Sequence, residues 1–474
     1  MAGRERRVLA VLASAALTYS LMQSLVIPAL PAISRALDAS PDLTSWTVTG
    51  FLLSSSVATP ISGRLGDLFG KRRVLVAVLG IVTAGTLLCL VPSIGALIAG
   101  RVVQGVSGGV LPIAYAIVRD ELRPARVSHG VALLAGVLGV GGGLGVIGGG
   151  ILVEHLSYTW MFALQVPAFL AVAWGVHRWV PESPARARGR VDWLGAALVS
   201  VGLIAVLLAL TQARRWGAGS PRTLLVLTIG VLVLAGWAWT ALRRDQPLLD
   251  LRLMRRRPVW TANVAAFMVG VAQFTGFILI PQYVQEPTGT GYGFGASPLA
   301  AGVFLLPMTI GVLATGLAAG PLERRHGAKP LLMAGNIIAG GAFVLLTFSR
   351  GGSLEVYTAS ALHGLGIGVA MAALATLIVS NVGAHETGVA AGVNNVARTL
   401  GGAFGGQLAA ALLAANLTGS GLHAVHGYTM AFGVGLLATV AGTLLGPLVP
   451  RRLEESTVVA AGVSGEAAEL AYRR

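Results

Sequence analysis

Apolar residues run in long blocks between Val8 and Val449, separated by short clusters of turn-forming or basic residues. The hydrocarbon core of a bilayer takes about 20 apolar residues per helix, and that length divides the chain into fourteen predicted spans. They cover 8–30, 45–63, 74–92, 96–118, 129–152, 159–179, 193–212 and 222–242. The rest cover 259–284, 298–321, 330–348, 354–379, 388–415 and 428–449. Many contain Gly or Pro, which membrane helices tolerate because neighbours re-satisfy freed backbone groups. The pattern predicts an all-α polytopic membrane protein.

Composition supports that class. The chain is 55% hydrophobic and 11% charged, with mean hydropathy +0.77, where a soluble domain is about 25% charged. No segment between spans exceeds about 25 residues, too little for an independent domain. The single cysteine, Cys89, excludes an intrachain disulfide.

A net charge of +15 invites a nucleic-acid reading, and its distribution rejects it. Arg4, Arg6, Arg7, Lys71, Arg72, Arg73, Arg119, Arg123, Arg126, Arg178, Arg255, Arg256, Arg257, Arg324, Arg325 and Lys329 fall on one set of alternate loops. The other set holds only Arg35, Arg214, Arg215, Arg222 and Arg350. Such asymmetry marks the cytoplasmic side and places both termini there. "MAGRERR" opens a run too long for a signal peptide and is expected to begin a retained first helix. The Arg-over-Lys bias and Ala/Gly/Val richness point to a bacterium, hence to its inner membrane.

The chain repeats itself. "ASPDLTSWTVTGFLLSSSVATPISGRLGDLFGKR" from Ala39 and "ASPLAAGVFLLPMTIGVLATGLAAGPLERRHGAK" from Ala296 share an offset of 257 residues, which pairs Gly63 with Gly320 and Gly70 with Gly327. "QGVSGGV" at Gln104 and "HGLGIGV" at His363 match more loosely. The expected organisation is a six-helix bundle at 1–180, a linker with spans 7 and 8 at 181–245, a second six-helix bundle at 246–450, and a disordered tail at 451–474. Duplicated bundles with a site at their midplane interface are a transporter plan.

Four stretches carry candidate chemistry. In "GRLGDLFGKRRVL" from Gly63, glycines permit a tight turn and Asp67 suits the positive end of a neighbouring helix. Lys71, Arg72 and Arg73 either pair with Asp120 and Glu121 as a conformational latch or serve topology alone. In "RVVQGVSGG", Arg101, Gln104, Gly105 and Gly108 share one helix face; Arg101 points into the bundle or snorkels to headgroups. In "GVGGGLGVIGGG", Gly141, Gly145, Gly149 and Gly150 form a stripe for hinging or for close packing. In "GVNNVARTLGGAFGG", Asn394, Arg398, Gly401 and Gly405 share a face, with Arg398 about ten residues deep. Tyr19, Gln23, Gln165 and Gln273 are further candidates for a polar cavity. Two inward arginines without embedded acids predict positive potential there, unless helix carbonyls satisfy them. An anionic or strongly hydrogen-bonding substrate would supply the missing charge.

The Gly63–Leu75 stretch resembles the loop 2–3 signature of the major facilitator superfamily, and "RVVQG" resembles its span-4 motif. "SYTWMFALQVP" resembles the start of span 6 in the fourteen-span drug-efflux branch, with Gln165 in place of Asn. The span-5 glycines resemble the antiporter motif, with Val146 where proline is expected. The resemblance implies two pseudo-symmetric six-helix bundles plus two extra helices, and export of small organic compounds by proton antiport. It implies gating by the Asp67 loop, with a small-molecule substrate, protons and lipid as partners; a monomer is expected, with no cofactor, metal or nucleic acid.

Span 1 departs from that branch. "YSLMQSLVIPALP" puts Met22 at the usual aspartate position and Ile27 at the asparagine position, and no carboxylate lies near any span centre. His363 is then the midplane group whose ordinary pKa suits a proton carrier, or else a core histidine. Enzyme motifs such as a Walker A loop, HExxH, CxxC or GxSxG are absent from the sequence. Two other functions stay open: an organic-anion or metabolite transporter with different or no proton coupling, and a membrane sensor or scaffold that does not transport.

Overall fold

The structure is a computed structural model describing residues 2–183, 192–217, 219–244, 254–382, 387–416 and 423–449. The tail predicted at 451–474 lies outside these, as do parts of both linkers. The first half comprises α1 (Ala2–Leu25), α2 (Leu30–Ala36), α3 (Pro41–Phe69), α4 (Lys71–Leu88), α5 (Ile94–Gln104), α6 (Val110–Glu121), α7 (Pro124–His155) and α8 (Tyr158–Trp179). A pair follows, α9 (Trp193–Trp216) and α10 (Pro221–Arg243). The second half comprises α11 (Arg257–Gln285), α12 (Pro298–His326), α13 (Ala328–Phe348), α14 (Ser353–Ser380), α15 (Thr387–Ala415) and α16 (Val425–Leu445).

Each predicted span coincides with helix, with two corrections. Span 1 was expected to reach residue 30, but α1 stops at Leu25, and a turn over 26–29 that contains Pro28 separates it from α2. Span 4 is not one continuous α-helix: Gly105–Gly109 forms a 3-10 turn between α5 and α6. Eleven of the described helices are long and apolar enough to cross a membrane. The exceptions have physical reasons. α4 opens on Lys71, Arg72 and Arg73, while α3 and α15 carry Ser/Thr and Asn/Arg/Gln faces.

The repeat is visible in the backbone. α3 and α12 are both 29 residues long, and each starts after a serine, Ser40 or Ser297, whose Oγ accepts an N–H from the first turn. Each ends on a glycine with positive φ, +104° at Gly70 and +83° at Gly327, before the next helix begins. Only glycine enters that region without strain. The tight turn therefore needs Gly70, whereas Gly63 lies inside α3 and forms no turn.

Two large apolar cores hold the halves together, one drawn from α1, α3, α4, α6, α7 and α8, the other mainly from α11–α16. The α9–α10 pair packs on the outside through Val199, Leu203 and Trp237, against Val389 and Val396 of α15. Large apolar side chains also cover the exterior, with Leu225, Leu232, Ile337, Leu437 and Leu444 each at least 60% exposed. So much apolar surface requires lipid around it.

Between the halves, α7 and α12 approach very closely. A Cβ added at Gly136 would lie 2.7 Å from the Gly316 Cα, and one at Gly143 would lie against Thr309. The other side of α7 packs on α1, Gly141 against Ser20, Gly145 against Ser24 and Gly149 against the Leu25 carbonyl; Gly150 meets nothing. Gly136→Val is expected to prise this seam apart. Overpacking costs ~1–3 kcal/mol, so the ratio of close-packed to separated molecules should fall by about fivefold to a hundredfold. Disulfide trapping between cysteines placed on α7 and α12 measures it, and unchanged trapping would refute the seam's role.

Candidate functional site

A cavity of about 130 Å³ opens between the halves. α1 contributes Tyr19, Ser20, Gln23 and Ser24, and α3 contributes Leu52 and Ser55. From the second half come Gln273, Phe274 and Phe277 of α11, Met308 and Val312 of α12, His363 and Met371 of α14, and Arg398 and Thr399 of α15. Ile27, beyond the end of α1 and 42% exposed, also lines it, so the cavity reaches towards the face opposite the basic loops. A second cavity of about 40 Å³ lies on the basic side of the first and shares Leu138, Met371 and Arg398 with it.

Arg398 sits where the two cavities meet. Its Nη1 donates to the Gln273 side-chain oxygen at 2.8 Å and its Nη2 to that of Asn395 at 2.6 Å. Asn394 lines the smaller cavity and donates to Asn263 Oδ1 and the Ala262 carbonyl. His363 is 1% exposed, its ring edge-on to Phe343 and set against the backbone of Gln273. Gly276 makes room for it, because a Cβ there would lie 2.6 Å from Nε2. Neither cavity is lined by a carboxylate.

Three residues expected in the cavity lie elsewhere. Arg101 and Gln104 are wholly buried inside the first half. Arg101 donates to the carbonyls of Thr47 and Met22 and to Gln104, and its guanidinium stands 4.3 Å from the Phe51 ring centre. Gln104 in turn donates to Thr86 Oγ1 at 2.8 Å. The shared face of the span-4 motif is real, but it points to α1, α3 and α4. Gln165 is buried in α8, and its amide has no hydrogen-bond partner.

On the basic face, the loop after α3 is tied down within the first half. Lys71 pairs with Asp120 at 2.8 Å, both nearly fully buried, and Ser183 also donates to Asp120. Arg72 and Arg73 both approach Glu182 instead of the expected acids, and Glu121 pairs with Arg4. Glu182 escaped the sequence reading because "PESP" looks like plain linker. A Cβ on Gly70 would lie 2.5 Å from that carboxylate, a second reason for glycine there.

On this face Arg119, at the end of α6, makes hydrogen bonds between the halves, donating to the Val379 carbonyl and to Thr387 Oγ1, each at 2.7 Å. Ala375 and Val379 of α14 join the first half's apolar core, and Tyr115 packs on the cluster around Ala390 and Ala391. Asp67 is 1% exposed and lies beyond the apolar span at 45–63, against the backbone of Val389 in the first turn of α15. A carboxylate there faces the positive end of the helix.

Burial pushes the Asp67 carboxyl up to about 7, with Lys71 and Arg64 pulling in the opposite direction. The buried arrangement therefore binds a proton more tightly than an exposed carboxylate would. Its contribution is fully present below the ordinary value of 3.8 and is lost as pH rises to about 7. The fraction of molecules joined at this face should fall across that interval, and Asp67→Asn should flatten the dependence. Distance measurements between labels on the two halves at stepped pH decide it; a variant retaining the full slope removes Asp67 as the cause.

Repeated helical halves around a polar cavity at their seam define a secondary transporter. The chain belongs to the Major Facilitator Superfamily, whose family description matches residues 12–406. It is 29% identical over 420 residues to the tetracenomycin C resistance and export protein of Streptomyces glaucescens, covering 88% of this chain and 77% of that protein. It is 31% identical to a multidrug resistance protein B homolog of Mycobacterium tuberculosis, covering 78% and 69%. Identity to a puromycin resistance protein of Streptomyces alboniger is 30%, covering 91% and 89%. The solved human organic anion transporter MFSD10 (TETRAN) shares the fold at TM-score 0.66 and 18% identity, over 94% of this chain and 99% of that one.

Proposed function

We propose that the chain exports small organic compounds across a bacterial cytoplasmic membrane by alternating access, with inward proton movement as the driving force. The observation that carries the reading is the cavity between the halves, combined with the hydrogen bonds by which Arg119 joins those halves on the basic face. A cavity joined on one side and reaching towards the other is one end-state of a rocking cycle. Its natural counterpart opens on the basic, cytoplasmic side after Arg119 and Asp67 release α14 and α15. The relatives named for resistance and export support small-molecule drugs as cargo.

In this reading fourteen helices cross the membrane, both termini are cytoplasmic, and the monomer works alone. The bundles are 1–180 and 246–450, with 181–245 as an accessory pair. Tyr19, Gln23, Gln273, His363, Asn394 and Arg398 line the substrate path, and His363 carries the proton because no carboxylate lines the cavity. Asp67, Lys71, Asp120 and Arg119 govern the cytoplasmic side.

A susceptibility screen of a deletion strain, with the gene restored as control, supplies substrates. Everted vesicles loaded by an imposed pH gradient then test coupling. Accumulation should collapse when the gradient is dissipated and in His363→Ala. Uptake indifferent to the gradient overturns antiport, and the absence of any flux overturns export.

A further inference from the structure

Resting on the export reading, we infer that the inter-half cavity is an anion subsite: Arg398 receives the acidic oxygen of an aromatic substrate, a carboxylate, sulfonate or phenolate on a ring. The argument begins with charge. Arg398 is held by two neutral amides, Gln273 at 2.8 Å and Asn395 at 2.6 Å, and no carboxylate lines either cavity that it borders. A guanidinium carries five N–H donors in a fixed fork. The two amide bonds use one donor on each terminal nitrogen, orient the plane and leave donors for a guest. An unneutralised cation inside a membrane protein marks a ligand path, and here the protein supplies orientation without the countercharge.

Shape narrows the class further. An enclosed apolar cavity of about 150 Å³ accepts benzene; this one is of similar size at about 130 Å³ and is not fully enclosed, which suits a single ring whose substituent extends beyond the apolar walls. Phe274 and Phe277 on one side, with Met308 and Met371 on the other, give that ring apolar and polarisable walls. His363 adds a second polar anchor. It is 1% exposed, lines the cavity and has the Gln273 backbone as a polar neighbour, which can engage one ring nitrogen and leaves the other for a guest. A cationic ring would meet Arg398 with nothing to offset the repulsion.

The test is equilibrium binding to wild-type protein in zwitterionic lipid nanodiscs, with protein-free discs as background. The probes are benzoate and benzylammonium, which share one phenyl ring and differ in charge. A charge-assisted pair supports a preference of about tenfold to a hundredfold for the anion. Arg398→Gln should abolish the preference, and Arg398→Lys should keep most of it. Equal binding of the two probes, preference for the ammonium, no binding of either, or an Arg398→Gln loss that is the same for both overturns the inference. The wild-type comparison decides the matter even where a variant fails to fold. Vesicle transport separates this inference from the reading it rests on. Flux of uncharged and cationic compounds without anion preference leaves export standing and removes the anion subsite, whereas anion-selective binding without flux does the reverse.

Discussion

Arg119→Gln should open the basic face. The native guanidinium makes two charge-assisted hydrogen bonds across the seam, one to the last turn of α14 at Val379 and one to Thr387 at the start of α15. Each such bond contributes ~1.5–3 kcal/mol when shielded, and partial exposure of Arg119 reduces the pair to about 2 kcal/mol in total. That is roughly a thirtyfold shift between the joined and separated states. With Cys89→Ser as background, spin labels at Phe69 and Arg325, both exposed and on opposite halves, report the distance across the face. The variant is expected to show a second, longer distance whose population relative to the short one rises about thirtyfold over wild type. Because export needs both states in turn, flux should fall as well. A distance distribution identical to wild type would mean that the apolar contacts of Ala375, Val379 and Tyr115 hold the face closed without the arginine.

The sequence pattern reached further for the frame than for the site. The 257-residue offset foretold that α3 and α12 would be copies, down to their capping serines and the positive-φ glycines at their ends. Such features are local: a cap or a left-handed glycine depends on a few neighbouring residues. Hydropathy failed to mark α3 and α15 as fully apolar for a reason that is itself informative, since Ser55 and Arg398 face a cavity instead of lipid.

Direction was harder to read than periodicity. Helical spacing put Arg101 and Gln104 on one face, but a helix inside a bundle has several inward directions, and spacing does not choose among them. The structure turns that face to α1 and α3, while the comparable face of α15 turns Arg398 to the cavity. Partners distant in sequence were also illegible. Arg119 looks like any topological arginine until α14 arrives 260 residues later, and Glu182 looks like linker until the loop after α3 folds under it.

Arg101 supplies the second large effect, in which size and charge separate. Arg101→Ala leaves a void beneath Phe51 in a fully buried site, and truncations of this size cost ~2–5 kcal/mol. Arg101→Met fills most of that volume without the charge. Its loss removes three hydrogen bonds, to Thr47, Met22 and Gln104. It also removes the ~2.5–3.5 kcal/mol penalty of holding a charge at membrane depth. The Thr47 acceptor is a backbone carbonyl inside α3 and keeps its intrahelical position, whereas the Met22 carbonyl lies in the last turn of α1, where helix carbonyls lack an intrahelical partner, so Arg101→Met leaves that one carbonyl to be satisfied otherwise. The opposing terms nearly cancel, and the expected net cost of Arg101→Met is below about 1.5 kcal/mol. Thermal unfolding in detergent should therefore rank wild type close to Arg101→Met and well above Arg101→Ala. If Met proves as damaging as Ala, the hydrogen bonds outweigh the burial penalty and the cation is a structural rivet. If it is tolerated, the arginine is held at a stability cost that packing alone does not justify. Its grip on Met22, three residues before α1 ends, then points to control of where that helix can move.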